Sequence, residues 1–426
     1  MQEGVVLKKW LTELITTIKS FNINIRNYML ANFCTQIGMG VFMVMYNIYI
    51  KELGLSESVN GSVVSLNALA LVIMLVPAGL ISDRLGRKNL IVAGTLLMVC
   101  MLTARSIVIT EQTILTLAFC TGLIWAFVQV SGVPFLAENS TAKERMNLFS
   151  IHFSLVTVAN VLGNLLGGVL ADLFQLFGLP VVESIRFALL IGCSILLVGI
   201  PFMLRVKIPT RKVRLAKEEA VDGELKVKPN LKRNLKMVAL FSVSNLLIGI
   251  GAGLVIPYLN LYFANRFDAA NSTIGLILAL GSAMTAVAML LGPILVNRVG
   301  KVNALLIFQL ASIPFLFLSA FTNSLLLAAI GFLMRQALMN AGNPITSAIA
   351  MEVVDDRYKG FANSVNQMIF NVGWALMGLP AAWLVTTYGN YWGYAYTFTI
   401  TGIIYLVAST YFYFMFGRRY KLKDAT

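Results

Sequence analysis

The residues best suited to chemistry are polar groups set inside long apolar runs. Arg335, in the stretch FLMRQALMNAGNP, lies about twelve residues into one such run, where a charge is costly unless it faces a partner or a water-filled cavity. Its fixed charge and five donors suit recognition of an anionic or polar solute. They could equally brace a helix bundle through backbone carbonyls and side-chain amides. Asn340 follows in the same run. Asn32 and Gln36 share a helical face with Gly40, Met43 and Asn47; Asn245 shares one with Gly249, Ala252 and Ile256; Asn371 and Trp374 share one with Asn363 and Gln367. Amides so placed either line a solute pathway or hydrogen-bond neighbouring helices together.

A second group of charges stands in GLISDRLGRK, residues 79 to 88, where Asp83, Arg84, Arg87 and Lys88 crowd directly after an apolar run. A shift of 214 residues lays Arg84, Gly86 and Arg87 on Arg298, Gly300 and Lys301, with Asp83 on Asn297. The same shift lays Gly61 on Gly275 and Glu138 on Glu352. Coincidences at one offset point to a duplicated unit. A carboxylate at the C-terminal end of a helix opposes the macrodipole, so Asp83 needs a partner elsewhere. The free N–H groups that open another helix, near Gly360 to Ser364, would supply one. Arg84 and Arg87 can pair with Glu138, Glu144 or Arg-flanked carboxylates after the fourth run; exposed pairs contribute about 0 to 1 kcal/mol each, so a lock made this way is a network.

The elements that must position these groups follow from composition. The chain has 426 residues, 58% of them hydrophobic and 12% charged, with mean hydropathy +0.80. A soluble domain carries roughly twice that share of charge. Twelve runs are long enough to cross a bilayer as helices: 27–50, 59–81, 89–109, 113–136, 148–170, 185–204, 237–263, 273–295, 303–321, 324–347, 362–386 and 391–415. The net charge of +14 would suit nucleic acid only if the basic residues shared one solvated face. Instead, with both termini in the cytoplasm, all of the 33 Lys and Arg except Lys51, Arg105, Arg186, Arg266 and Arg335 fall on the cytoplasmic side.

Residues 205–236 hold eleven Lys or Arg against four acids and separate six runs from six, which reads as a cytoplasmic linker. The expected organisation is a cytoplasmic segment 1–26, a six-helix half 27–204, the linker 205–236, a second half 237–415 and a basic tail 416–426. Residues 1–26 carry charges before any long apolar run and are not expected to be a cleavable signal. Leu7, Trp10, Leu11, Leu14, Ile18 and Phe21 fall at helical spacing, suiting a helix on the membrane surface; a poorly ordered tail is the alternative.

Gly79, Asp83, Arg84, Gly86, Arg87 and Lys88 resemble the GxxxDRxGRK loop of the major facilitator superfamily, and Asn297, Arg298, Gly300 and Lys301 resemble its degenerate second copy. The resemblance covers nearly the whole chain. It implies an all-α membrane fold of twelve helices in two pseudo-symmetric halves, a solute site between the halves, and an Asp83 contact to the start of helix 11 that forms when the inner side closes. Drug antiporters of the superfamily often carry a helix 4 pattern resembling RxxQG; here Gln129 remains while Ala126 holds the arginine position. VANVLGNLLGGV resembles the antiporter pattern of helix 5, with Asn164 in place of its proline.

The function expected is secondary transport by alternating access of a small amphipathic molecule, by efflux across the cell membrane. One alternative is a carrier of an anionic metabolite or lysolipid recognised by Arg335; another, from a different class, is a membrane sensor built on a transporter scaffold. Arg335, Asn32, Gln36, Gln129, Asn245, Asn340, Asn371 and Trp374 are the binding candidates, and Asp83, Arg84, Gly86, Arg87, Glu138, Arg145, Arg298 and Glu352 the gating candidates. No enzyme is expected: one histidine excludes HExxH, and no nucleophile–base constellation is visible. Cys34, Cys100, Cys120 and Cys193 form no CxxC pair, and neither metal nor cofactor is expected. The expected partners are a small-molecule substrate and the lipid bilayer, with no nucleic acid and a monomeric chain. No carboxylate lies deep in a run, so any proton coupling would fall to Glu138, Glu352 or His152.

Overall fold

The computed structural model describes residues 18–141, 145–207, 231–354 and 359–417. Helix is the regular structure throughout these residues, as a bilayer demands of a chain with no closed barrel, because every backbone group must find its partner within the segment. Span 1 runs over Ile23–Glu52, span 2 over Glu57–Leu85, span 3 over Arg87–Ile107, span 4 over Glu111–Glu138, span 5 over Arg145–Leu176 and span 6 over Val181–Leu204. Span 8 is Asn271–Val299 and span 9 is Lys301–Phe321.

Two spans are broken and two run together, each for a visible reason. Span 7 passes from Leu231–Val255 through a 3-10 turn, Ile256–Tyr258, into Leu259–Phe267; Pro257 in that turn has no N–H to give the helix and its ring crowds the preceding turn. Span 10 is Leu325–Ala341 followed by Asn343–Val353, with Pro344 in the first turn of the second piece. Spans 11 and 12 lie in one helical stretch, Lys359–Phe412, interrupted at Gly389 with φ 74°. A straight helix of 54 residues would be about 80 Å long, far more than the ~30 Å hydrocarbon core. The eleven membrane-capable helical stretches therefore supply twelve spans, and the twelve expected from sequence are present.

The repeat shows in the backbone. Gly86, φ 87°, is the single residue between spans 2 and 3, and Gly300, φ 81°, 214 positions on, stands between spans 8 and 9. A side chain there would be strained in the left-handed region, so both turns call for glycine.

With an even number of spans, residues 207 and 231 and both described chain ends lie at one end of the bundle, here called the linker end; Glu52, Glu57 and Asp172 lie at the far end. The apolar packing differs between them. At the far end one cluster joins Tyr46, Tyr49 and Leu189 of the first six spans to Tyr258, Tyr262 and Phe398 of the last six. At the linker end the first six spans have their own cluster around Ile25, Tyr28 and Phe135, and the last six theirs around Phe241, Phe412 and Phe416. Phe21 is buried in the former, while residues 1–17 of the expected surface helix lie outside the described residues.

Candidate functional site

The far-end junction is built from backbone approach and amide hydrogen bonds. Pro257 frees backbone groups in span 7, and its carbonyl accepts Asn47 Nδ2 of span 1 at 2.6 Å. Asn260 Nδ2 returns a bond to the Val44 carbonyl at 2.7 Å. A shift of 213, one short of the repeat offset, relates Asn47 to Asn260, and here they meet, 3.4 Å apart. Asn265 Nδ2 donates to Glu57 Oε1 at 2.8 Å and to the Tyr394 hydroxyl at 3.1 Å. Asp172 of span 5 accepts the Ser272 backbone N–H at 2.7 Å, at the opening of span 8, where Ala270 provides no side-chain cap.

Two close approaches complete the junction. A Cβ at Gly61 of span 2 would meet the Gly378 carbonyl at 2.6 Å and Ala382 Cβ at 2.8 Å. One at Gly275 of span 8 would meet the Asn164 carbonyl at 2.5 Å and Gly168 Cα at 3.3 Å. Adding 214 carries 61, 164 and 168 onto 275, 378 and 382, so the two contacts are copies of each other.

Toward the linker end from this junction lies a cavity of about 270 Å³, lined by spans 1, 5, 7, 8 and 10. Pro257 and Asn260 form its far wall, and Thr157, Thr285 and Asn340 lie toward the linker end. Met43, Ile256, Leu278 and Phe332 supply apolar wall. Asn160, Asn164, Ser282 and Gln336 add polar wall, and no charged side chain is among the lining residues. Asn164 is 5% exposed, and its Oδ1 has no partner; Gln336 Oε1 is likewise buried and unpartnered.

The expected binding residues scatter around this cavity. Asn340 lines it, with Nδ2 toward Thr285 Oγ1 at 3.4 Å. Asn32 lines a narrow cleft beside Tyr28 and Thr95, within the first six spans. Gln36 and Asn245 are half-buried away from the lining, and Gln129 is exposed beside a buried Ala126. Asn371 Nδ2 returns to the Gln367 carbonyl of its own helix at 2.8 Å. Trp374 packs against Gly253 and carries a buried Nε1 without a partner. Arg335 is 2% exposed and turned to span 12, donating to the Tyr405 hydroxyl at 2.7 Å with the guanidinium 5.5 Å from the ring centroid. It is not among the cavity's lining residues, whereas its neighbour Gln336, rotated about 100° around the helix, is.

In the charged loop, Arg87 Nε pairs with Glu138 Oε1 at 2.5 Å, tying the start of span 3 to the end of span 4. Lys88 Nζ donates to the Leu204 and Val206 carbonyls that end span 6, where a cation is favoured. Arg84 and Arg298 are exposed. The side chains of Asp83, Arg145 and Glu352 lie outside the described residues. His152 is 6% exposed and sits against the Tyr28 ring.

Sequence reasoning passed over Glu57, Asp172, Asn265 and Gln336. Asn160 with Asn164, Ser282 with Thr285, and Gln336 with Asn340 recur at spacings of three or four, a signal present in the sequence but common to helix-joining amides.

A profile of the Major Facilitator Superfamily matches residues 28–250 and 241–426. The chain is 25% identical over 386 residues to an uncharacterized MFS-type transporter of Methanocaldococcus jannaschii, covering 88% of this chain and 95% of that one. It is 26% identical over 367 residues to the multidrug resistance protein MdtG of Proteus mirabilis, covering 84% and 88%. In fold it is similar to the crystal structure of a bacterial homologue of the human lysosomal transporter Spinster in an inward-facing, occupied conformation, with TM-score 0.75, 17% identity, and 92% and 95% of the two chains covered.

Proposed function

The chain belongs to the Major Facilitator Superfamily and is a multi-pass membrane transporter, and from that premise we propose that it moves a small amphipathic molecule out of the cytoplasm by alternating access. The observation that carries the reading is the contrast in packing. One apolar core joins the two sets of six spans at the far end, separate cores hold them at the linker end, and a cavity lined from both sets lies below the junction. This is the arrangement of a carrier open toward the linker end. The excess of Lys and Arg at that end supports its being cytoplasmic, in the cell membrane. Export is supported by the similarity to a protein named for multidrug resistance.

The gating we propose uses one acid at each end. Asp172 holds the N-terminus of span 8 while the far end is closed. Its position in the repeat corresponds to Thr386, which bonds its own helix. Asp83 would hold the N-terminus of span 11 when the linker end closes, and its counterpart is Asn297. Spans 2 and 11 thus carry their acid at the linker end and spans 5 and 8 at the far end, so rocking would exchange one charge–dipole contact for the other. Arg87, Glu138 and Gly86 would shape the loop that presents Asp83; Arg145, Arg298 and Glu352 are proposed to assist them.

Carriage of an anion rests on Arg335, and that guanidinium is directed to Tyr405, away from the cavity. The test is counterflow and efflux from proteoliposomes against a compound library, with and without an imposed pH gradient. Accumulation of at least one amphipathic solute is expected. A folded protein that moves no member under either condition would sink the carrier reading.

A further inference from the structure

The lining of the central cavity specifies a chemical class, an inference that rests on that cavity being the carriage site. We propose that it binds an uncharged molecule, or the uncharged end of one, through N–H or O–H groups that meet Asn164, Gln336 and the nearby hydroxyls. Three hydroxyls of the wall have their protons committed to their own helices. Thr157 donates to the Phe153 carbonyl at 2.9 Å, Ser282 to Leu278 at 3.2 Å, and Thr285 to Gly281 at 2.9 Å. Each then offers only lone pairs, one of those on Thr285 being met by Asn340 Nδ2 at 3.4 Å, so these hydroxyls ask for donors from the ligand.

Asn164 and Gln336 make the demand stronger. Both leave an amide oxygen shielded from water and unpaired, a loss that a turn of the side chain toward a ligand donor would recover. A carboxamide presents an acceptor on one side and donors on the other, so either orientation needs a hydrogen-bonding partner. One amide comes from span 5 and one from span 10, so a ligand bonded to both bridges the first and last six spans.

Charge is the discriminating term. An ion occluded in this cavity would leave water without a counter-charge among the lining residues, a desolvation that nothing in the wall offsets. An anion would in addition face the lone pairs of the three hydroxyls. The volume holds about nine waters at ~30 Å³ each, below the 300–1,000 Å³ of pockets that engulf a drug-sized molecule. Met43, Ile256, Leu278 and Phe332 give an apolar remainder a place beside the polar end.

The experiment uses the purified full chain and a fragment library divided equally among uncharged, cationic and anionic members, read by thermal shift and then by counterflow in proteoliposomes. Stabilising fragments should be uncharged and bear N–H or O–H groups, and Asn164→Leu or Gln336→Leu should weaken them about tenfold. Asn164→Ser, which keeps a small polar group, guards against a folding artefact and should lose less. Gln336→Glu should turn the preference toward cationic fragments. Preference of the native chain for charged fragments, indifference of the uncharged ones to both leucine substitutions, or absence of any binding fragment overturns the proposal. Charged fragments that are carried would overturn the ligand class and leave the carrier reading intact. Uncharged fragments that bind but are not carried would support the class and count against the carrier.

Discussion

The two ends of the bundle are built from related sequence and hold together differently. At the far end, glycines 61 and 275 bring span 2 against span 11 and span 8 against span 5 so closely that a Cβ would strike a backbone carbonyl. Toward the linker end of the same span 2, an added Cβ at Gly79 would meet nothing within 4 Å. The far end is bonded across by Asn47, Asn260, Asn265 and Asp172, while the linker ends of the two sets of spans pack within themselves. A carrier needs this inequality, because a bundle equally well packed at both ends would have no reason to open either. On the proposed alternating-access reading, the repeat encodes two surfaces able to close, and details at their rims set which one is closed.

The strongest effects are expected at the far-end glycines. Gly61→Leu or Gly275→Leu should prevent far-end closure and abolish counterflow, while single cysteines placed at the far end become accessible to a membrane-impermeant maleimide. Gly61→Ala, an overpacking of about 1–3 kcal/mol, should shift the equilibrium by about tenfold in the same direction. Gly79→Ala, with open space around it, should leave far-end accessibility unchanged. An equal response of Gly61 and Gly79 variants would remove the distinction between the ends.

A smaller effect is expected from the amides. Asn260→Leu leaves the Val44 carbonyl without its donor, and Asn47→Leu does the same to the Pro257 carbonyl. Hydrogen bonds between membrane helices contribute about 0.6 kcal/mol on average and up to about 1.7, so each variant should raise far-end accessibility a few-fold. The double variant should fall short of the sum of the singles if the two amides act as one contact.

The two acids should act with opposite sign. Asp172→Asn weakens a charge–dipole contact worth about 0.3–2 kcal/mol and should expose the far end. Asp83→Asn should instead raise accessibility at the linker end in the outward-open population, and impair transport more than Asn297→Asp or Asn297→Ala. Equal loss in a transport assay at the two repeat positions would reject the asymmetric lock.

The smallest effect on selectivity is expected at Arg335. Arg335→Ala should lower thermal stability, because Tyr405 loses its buried donor, while the concentration dependence of transport for surviving protein stays unchanged. A changed solute preference without a stability loss would return Arg335 to the binding site.

Much of the frame was legible without coordinates. Runs of apolar residues must become helices in a bilayer, so length and hydropathy alone gave twelve spans, and the offset of 214 paired Gly86 with Gly300 and Gly61 with Gly275 before their surroundings were known. The cavity was less legible because an amide that lines a pathway and one that joins two helices have the same sequence signature. Asn47 and Asn260 turned out to join, Asn340 to line, and Asn371 to bond its own helix. Arg335 and Gln336 are adjacent, yet Gln336 lines the cavity and Arg335 is not among its lining residues.

The number and nature of the spans and the duplication are written in the chain itself, because they depend on transfer to lipid and on like residues recurring at a fixed offset. Only the tertiary structure decided which end is packed shut, which amides remain unpaired and where Arg335 points, because these depend on how about 100° of rotation per residue is resolved against neighbours far away in the chain.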